Sequence, residues 1–513
     1  MSQAHQEETA LAGLQNSAKL PSWRTAFLFA GLALVSASLL ALLVPTALYA
    51  DTSRPQGQFF VTHPTSFAPL YTLLAAQSAS QGLLLLLVGS IVYIILAGLY
   101  WKLLRSLRSE ESLVAAVWRS RRHWIVLALI WVGLFGAYPL LSDDGIYYLT
   151  QARLVVNYGA NPYLPAARQF LADDDWQAML GPLQSLPLTY GPIWLYLSLP
   201  PVVVAGSSLP VAIVALKLVN MALVLLSGVV LWQLLADRAP DQRRLAVLAL
   251  LWNPLVWAEV LWSNHNDVVM MIWVLLALLA FQRNRPILSM SLLMCGVATK
   301  YVPLIGAPLL LAAILRQRQR REYVPLFGAM ALACSGVLAL CYAPVAWGQG
   351  LAIFAGLLAH AEKVNPTYSA LVQTAMAPLI GATPARLIMP GLLLALVAFC
   401  SWRVWRGAPL VGMLVLLFVG YVFVLSNWLV PWYGIWLVLL ALIGHSRMQQ
   451  AVVGAALYLP SYYLINALPS PAWLRATMMA GVPLLIIFWQ WRTYQPQMDV
   501  AVRTFADGDS RLQ

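Results

Sequence analysis

Charge is scarce in this sequence. Only 10% of its 513 residues are charged, against 61% that are apolar, and acids are the rarer sign, 19 Asp and Glu to 31 Lys and Arg. Apolar runs of membrane-spanning length recur from Phe27 to Trp491, which excludes an ordinary soluble domain. Cysteine is nearly absent as well. Cys295, Cys334, Cys341 and Cys400 all lie inside apolar runs. Their spacing suits neither a metal site nor a disulfide framework, so they read as small packing residues. There is no convincing internal repeat and no inverted pair of halves of the kind many transporters show.

What is present is hydrocarbon-facing helix. A bilayer core takes about 20 apolar residues per helix, which leaves room for about 13–14 spans. Helices are expected because every backbone polar group must be satisfied inside lipid, and the runs are too long for barrel strands. The net charge of +12 does not point to nucleic acid, because the basic residues sit in short loops: Lys102 to Arg122, Arg238 to Arg244, Arg283 and Arg285, Arg316 to Arg321, Arg403 and Arg406. Basic loops stay on the cytoplasmic side, which puts both termini in the cytoplasm. Ala47-Leu48-Tyr49-Ala50 matches a signal-peptidase site poorly, since Leu48 stands where a small residue is wanted. The apolar stretch before it is expected to be an uncleaved first span. The expected organisation is 1–123 as a tail with two leading spans, 124–322 as a first membrane module, 323–491 as a second membrane module, and 492–513 as a cytoplasmic tail.

On the outer side, polar residues gather where apolar runs end. Asp143 and Asp144 stand together before a Tyr-rich stretch, Ile146 to Tyr158, that reads as an amphipathic, interfacial helix. A carboxylate at a helix centre in lipid costs about 2.5–3.5 kcal/mol on insertion scales, so such acids are either solvated helix ends or working groups. Adjacent like charges perturb each other, which suits one of them to general-base work. Ser263-Asn264-His265-Asn266-Asp267 is a second cluster, with Glu259 just before it in an apolar run. Its mixture fits hydrogen bonding to phosphate or sugar hydroxyls better than metal ligation. Lys300 lies between two short apolar runs and either snorkels or neutralises an anionic headgroup. Trp428, Trp432 and Tyr433 around Pro431 read as an interfacial belt or a sugar-stacking platform. The apolar run 193–206 breaks the span parity and reads as re-entrant or interfacial.

Together these residues resemble the GT-C class of integral-membrane glycosyltransferases, and within it the polyprenol-phosphomannose-dependent mannosyltransferases of the α-1,6 type. The resemblance is carried by Asp143-Asp144-Gly145-Ile146-Tyr147-Tyr148, Gln151-Ala152-Arg153, Gly159-Ala160-Asn161-Pro162-Tyr163 and Tyr190-Gly191-Pro192-Ile193-Trp194. Asn253-Pro254, His265-Asn266-Asp267 and Lys300-Tyr301-Val302-Pro303 extend it. It covers 124–315 well and Pro431-Trp432-Tyr433 more loosely, and two extra spans before the acid pair depart from the simplest members.

The resemblance implies an all-α polytopic membrane protein, a GT-C-like bundle of about 13–14 transmembrane helices with interfacial helices in the large outer loop. It implies a polyprenyl-phosphate-linked hexose donor, mannose above all, and a glycan or lipid-linked acceptor. Transfer would occur on the extracytoplasmic side of a bacterial cell membrane, among membrane lipids, with no nucleic-acid partner. The chemistry would be a single inverting displacement with Asp143 as base and Asp144 as its supporting neighbour, with no metal or other cofactor required. Lys300, His265 and Arg153 would hold the donor phosphate or headgroup. Tyr147, Tyr163, Tyr190, Asn264, Asp267, Trp432 and Tyr433 would line the substrate site. A lipid or solute transporter is the competing class, and a polymerase using a diphosphate-linked donor ranks behind it because outer arginines (Arg54, Arg153, Arg168, Arg386, Arg475) are few.

Overall fold

Proline marks where many of the helices begin. Pro192, Pro240, Pro254 and Pro286 each open a helix, where a missing N–H loses no hydrogen bond and φ is already helical. The computed structural model describes residues 79–490 apart from 110, 137–138, 140–141, 143, 166–168, 171–175, 177–185, 362–363 and 445. Regular structure among the described residues is entirely helical. The expected first span at 25–49 and the cytoplasmic tail lie outside the described residues.

Among the described residues six helices are long and apolar enough to cross a bilayer: Leu87–Ser109, Leu209–Leu234, Pro240–Trp262, Arg320–Ala346, Ala382–Trp405 and Ala472–Gln490. Shorter apolar helices, including Asp267–Gln282, Pro286–Val297, Val302–Arg316, Leu410–Leu425 and Pro431–Ile443, lie between them. The bounds follow the hydropathy closely, and the run 267–282 is the helix Asp267–Gln282 itself. The apolar run 449–466 is broken at Pro460 into Arg447–Tyr458 and Ser461–Ala467. The run 193–206 forms Pro192–Ala205, a 14-residue helix, about 21 Å long and too short to cross by itself.

The apolar surface is turned outward at the periphery and inward at the centre. On Tyr323–Ala346 and Ala382–Trp405, Leu332, Leu340 and Leu394 are at least 70% exposed, as suits side chains against lipid. The buried centre is Asp267–Gln282, which packs on Pro286–Val297, Leu209–Leu234 and Gly434–Ile443. The helix expected to lie amphipathically at the interface is Asp144–Tyr158, and its residues Gly145 to Leu154 are all buried. It packs against Pro192–Ala205 and Leu209–Leu234; its polar residues face protein over those ten positions, and only its last turn is exposed.

Candidate functional site

The site is assembled around the chain reversal that precedes Asp267–Gln282. Asn253 begins it: its Oδ1 accepts from Leu255 N at 2.9 Å, capping a short helix opened by Pro254. The helix then widens to π geometry over Trp257–Trp262, a form that recurs at functional sites. Ser263 Oγ donates to Ala258 O at 2.7 Å and closes the widened turn. Asn264 takes φ +64°, a left-handed conformation that asparagine tolerates better than most residues. The turn is then packed against the start of Asp144–Tyr158. A Cβ on Gly145 would stand 2.9 Å from Asn264 Cβ and 3.2 Å from Ser263 O, so the absence of a side chain there lets the Asp144 backbone reach the turn.

Asp144 opens its helix, and two phenols hold it. Tyr148, one turn along, donates to Asp144 Oδ2 at 3.0 Å, and Tyr190 donates to the same oxygen at 3.1 Å. Oδ1 has no hydrogen bond among the described residues. Burial first, then the Asp144 charge, push both phenols well above the ordinary 10.0, so they remain donors at neutral pH. Tyr190 is placed by its neighbours. Tyr163 Oη donates to Tyr190 O at 3.0 Å, and Gly191 N donates to Thr299 O at 2.9 Å. A Cβ on Gly191 would lie 2.1 Å from Ala298 O, so this backbone contact requires glycine. It ties the Tyr190 loop to the turn that carries Lys300.

Lys300 is enclosed. Its Nζ donates to Asp267 Oδ1 at 2.8 Å and lies 5.3–5.4 Å from the ring centroids of Tyr190, Tyr433 and Trp436. Trp436 Nε1 donates to the same Asp267 oxygen at 2.6 Å, and Tyr433 stacks on Trp436 at 4.0 Å. His265 is bound just as firmly. Its Nδ1 lies 2.9 Å from Glu259 O and 3.2 Å from Glu259 Oε2, and its ring stacks on Trp432 at 3.8 Å. Glu259 is fully buried and also accepts from Tyr463 Oη at 3.0 Å.

The structure therefore brings Asp144, Tyr190, Lys300, Asp267 and Tyr433 into one cluster, with His265 and Trp432 alongside. Asn264 shapes the turn, and its Oδ1 accepts from Asn220 Nδ2 at 3.4 Å. Tyr147 serves the loop from behind, donating to Pro187 O at 2.7 Å. Asp143 lies outside the described residues. Arg153 is not part of the cluster. It donates to Gly206 O at 3.1 Å and lies over Trp176 at 4.4 Å.

Three residues with direct contacts in the cluster go beyond the expected set: Tyr148, Trp436 and Tyr463. Tyr148 was discoverable as the i+4 neighbour of Asp144 on a helix, and Trp436 as the i+3 neighbour of Tyr433. The Glu259–Tyr463 pairing had no local signal. Arg475, near the opposite end of the chain, has a buried Nε without a hydrogen-bond partner. Among the described residues no three His, Cys, Asp or Glu side chains gather as a metal site would.

A family model described as Alpha-(1->6)-mannopyranosyltransferase, N-terminal domain, matches residues 43–316, more than half of the chain. No curated protein matches the chain, and no solved structure does. The matched region contains the acid pair, the Tyr190 loop, the 253–267 reversal and Lys300, and it ends before Trp432, Tyr433 and Trp436. By that match over the part of the chain that builds the cluster, this membrane protein belongs to the alpha-(1->6)-mannopyranosyltransferase family.

Proposed function

We propose that the protein transfers mannose from a polyprenyl-phosphate-linked donor to a hydroxyl of a glycan or lipid-linked acceptor, at the extracytoplasmic face of the membrane. The observation that supports this reading best is the carboxylate Asp144, held through one oxygen by Tyr148 and Tyr190 and sharing Tyr190 with the Lys300–Asp267 pair.

The reaction is a single displacement. The acid pair takes the proton of the acceptor hydroxyl as its oxygen forms a bond to the anomeric carbon. The bond from that carbon to the phosphate oxygen breaks, its electrons leave with polyprenyl phosphate, and the configuration inverts. Asp143 is proposed as the base, with Asp144 fixed beside it by the two phenols. General-base catalysis contributes about 10²–10⁴-fold.

The leaving phosphate needs positive charge. Lys300 is balanced by Asp267 at 2.8 Å, so its ammonium offers a dipole more than a free charge. Arg475 forms no ion pair among the described residues and is proposed as the second cation, its planar fork being suited to phosphate.

The test uses the purified protein in lipid nanodiscs with a polyprenyl-phosphate-mannose donor. Asp143→Asn is expected to bind donor but lose transfer by about 10²–10⁴-fold, with Asp144→Asn less affected. The reverse order would make Asp144 the base. Full transfer by both variants, or uptake of solute with no covalent product, would overturn the reading.

A further inference from the structure

Four polar atoms on three consecutive residues have no hydrogen-bond partner among the described residues, although all three residues are completely buried: His265 Nε2, Asn266 Oδ1, Asn266 Nδ2 and Asp267 Oδ2. Each such orphan costs about 1–3 kcal/mol, so a cluster of them is an opening for a polar ligand. Asn266 is the sharpest case. It occupies the position before Asp267–Gln282 where an asparagine side chain ordinarily accepts from the helix's first N–H groups, yet it makes no such bond. Its amide keeps a donor and an acceptor together in the interior.

The neighbouring atoms are constrained by what is already bound. Asp267 uses Oδ1 for both Lys300 and Trp436, leaving Oδ2 bare. His265 has Nδ1 on Glu259 and one ring face against Trp432, leaving Nε2. Through Asn264 the same turn packs on Gly145, the residue after Asp144. A phosphate does not suit this set, because a bare carboxylate oxygen would repel it. A pyranose ring does: each hydroxyl offers one O–H and lone pairs, and vicinal hydroxyls can engage an amide through both of its ends.

We infer that His265 Nε2, the Asn266 amide and Asp267 Oδ2 form a hydroxyl-reading subsite for the transferred sugar, with Asn266 as its specificity-determining residue. This rests on the mannosyl-transfer reading above. Mannose and glucose differ only in the orientation of one ring hydroxyl, and buried polar groups discriminate by being left unpaired when a hydroxyl is misplaced.

The experiment compares wild type, Asn266→Leu and Asn266→Ser in nanodiscs by three measurements. Thermal unfolding without ligand is expected to leave Asn266→Leu at or above wild type, since it replaces orphaned polar atoms by apolar ones of similar size. Initial rates with polyprenyl-phosphate mannose and polyprenyl-phosphate glucose should show kcat/KM for the mannose donor falling about 100-fold in Asn266→Leu. Its preference for mannose over glucose should shrink to about threefold or less. Saturation-transfer NMR with methyl α-mannoside, against methyl α-glucoside, should lose its mannoside signal in the same variant. Asn266→Ser, keeping one hydroxyl, should be intermediate, and it carries the test if Asn266→Leu does not fold.

Unchanged rates and unchanged epimer preference would mean that water alone fills the cluster and would overturn the inference. Asn266-dependent mannoside binding in a protein that transfers nothing from the polyprenyl donor would sustain the subsite while refuting the donor. Mannosyl transfer indifferent to Asn266 would refute the subsite alone.

Discussion

Lys300 and Asp267 form one buried ion pair on which both stability and the proposed chemistry are expected to depend. Both side chains are nearly or fully buried, and Asp267 Oδ1 receives both the ammonium and the Trp436 N–H. Removing one partner of such a pair leaves the other charged and unsolvated, a loss of about 3–5 kcal/mol. Lys300→Met and Asp267→Asn are each expected to lower the unfolding temperature markedly and to abolish transfer. The double variant Lys300→Met/Asp267→Leu should recover much of the stability without the activity, measured by thermal unfolding and transfer in the same nanodiscs. If the double variant is as unstable as the two losses combined, the pair contributes by packing instead of charge. Tyr148 and Trp436 extend the same lesson. Each was one helical turn from a residue the sequence had already singled out, and helical spacing was the available signal.

At the level of elements, the site depends on two close approaches. The Tyr190 loop and the Lys300 turn meet through Gly191, where a Cβ would fall 2.1 Å from the Ala298 carbonyl oxygen. Backbone cannot yield as a flexible side chain can, so Gly191→Ala should displace Tyr190 from both Asp144 and Lys300. A loss of transfer of at least about 100-fold is expected, from misplacement of a group near the reacting centre, together with a lower unfolding temperature. Gly133→Ala is the control. Nothing lies within 4 Å of its would-be Cβ, and alanine in a helix should be neutral to stabilising by about 0.5–1 kcal/mol. Equal behaviour of the two variants would show that the loop–turn contact does not set the geometry. The helix bounds themselves were legible because long apolar runs are opened by prolines and closed by polar residues. The burial of Asp144–Tyr158 was not, because the same sequence suits a membrane interface or a protein neighbour equally well.

Over the whole molecule, the basic loops and the polar cluster make a claim about sidedness. Ala239 adjoins Arg238 in a basic loop, while Ser207 follows Pro192–Ala205 close to Arg153; both residues are exposed. In a chain freed of its four cysteines, Ser207→Cys is expected to react with an impermeant thiol reagent on intact cells. Ala239→Cys should react only after permeabilisation. The opposite pattern would place the polar cluster on the cytoplasmic side and remove the extracytoplasmic donor. At this scale the helical membrane character was most legible, since hydropathy acts additively over many positions and does not depend on which helix touches which.

The sequence by itself determined a helical membrane protein, the bounds of most of its helices, the resemblance to mannosyltransferases and most of the polar residues that cluster. Burial costs and backbone hydrogen-bonding rules act on local composition, so composition reports them. Only the tertiary structure decided the partnerships: Trp436 on Asp267 across 169 positions and Tyr463 on Glu259 across 204, and Arg153 bound to Gly206 away from the cluster. Periodicity says which face of a helix is apolar but not which neighbour meets it, and the orphaned amide of Asn266 became visible only once every surrounding partner was known.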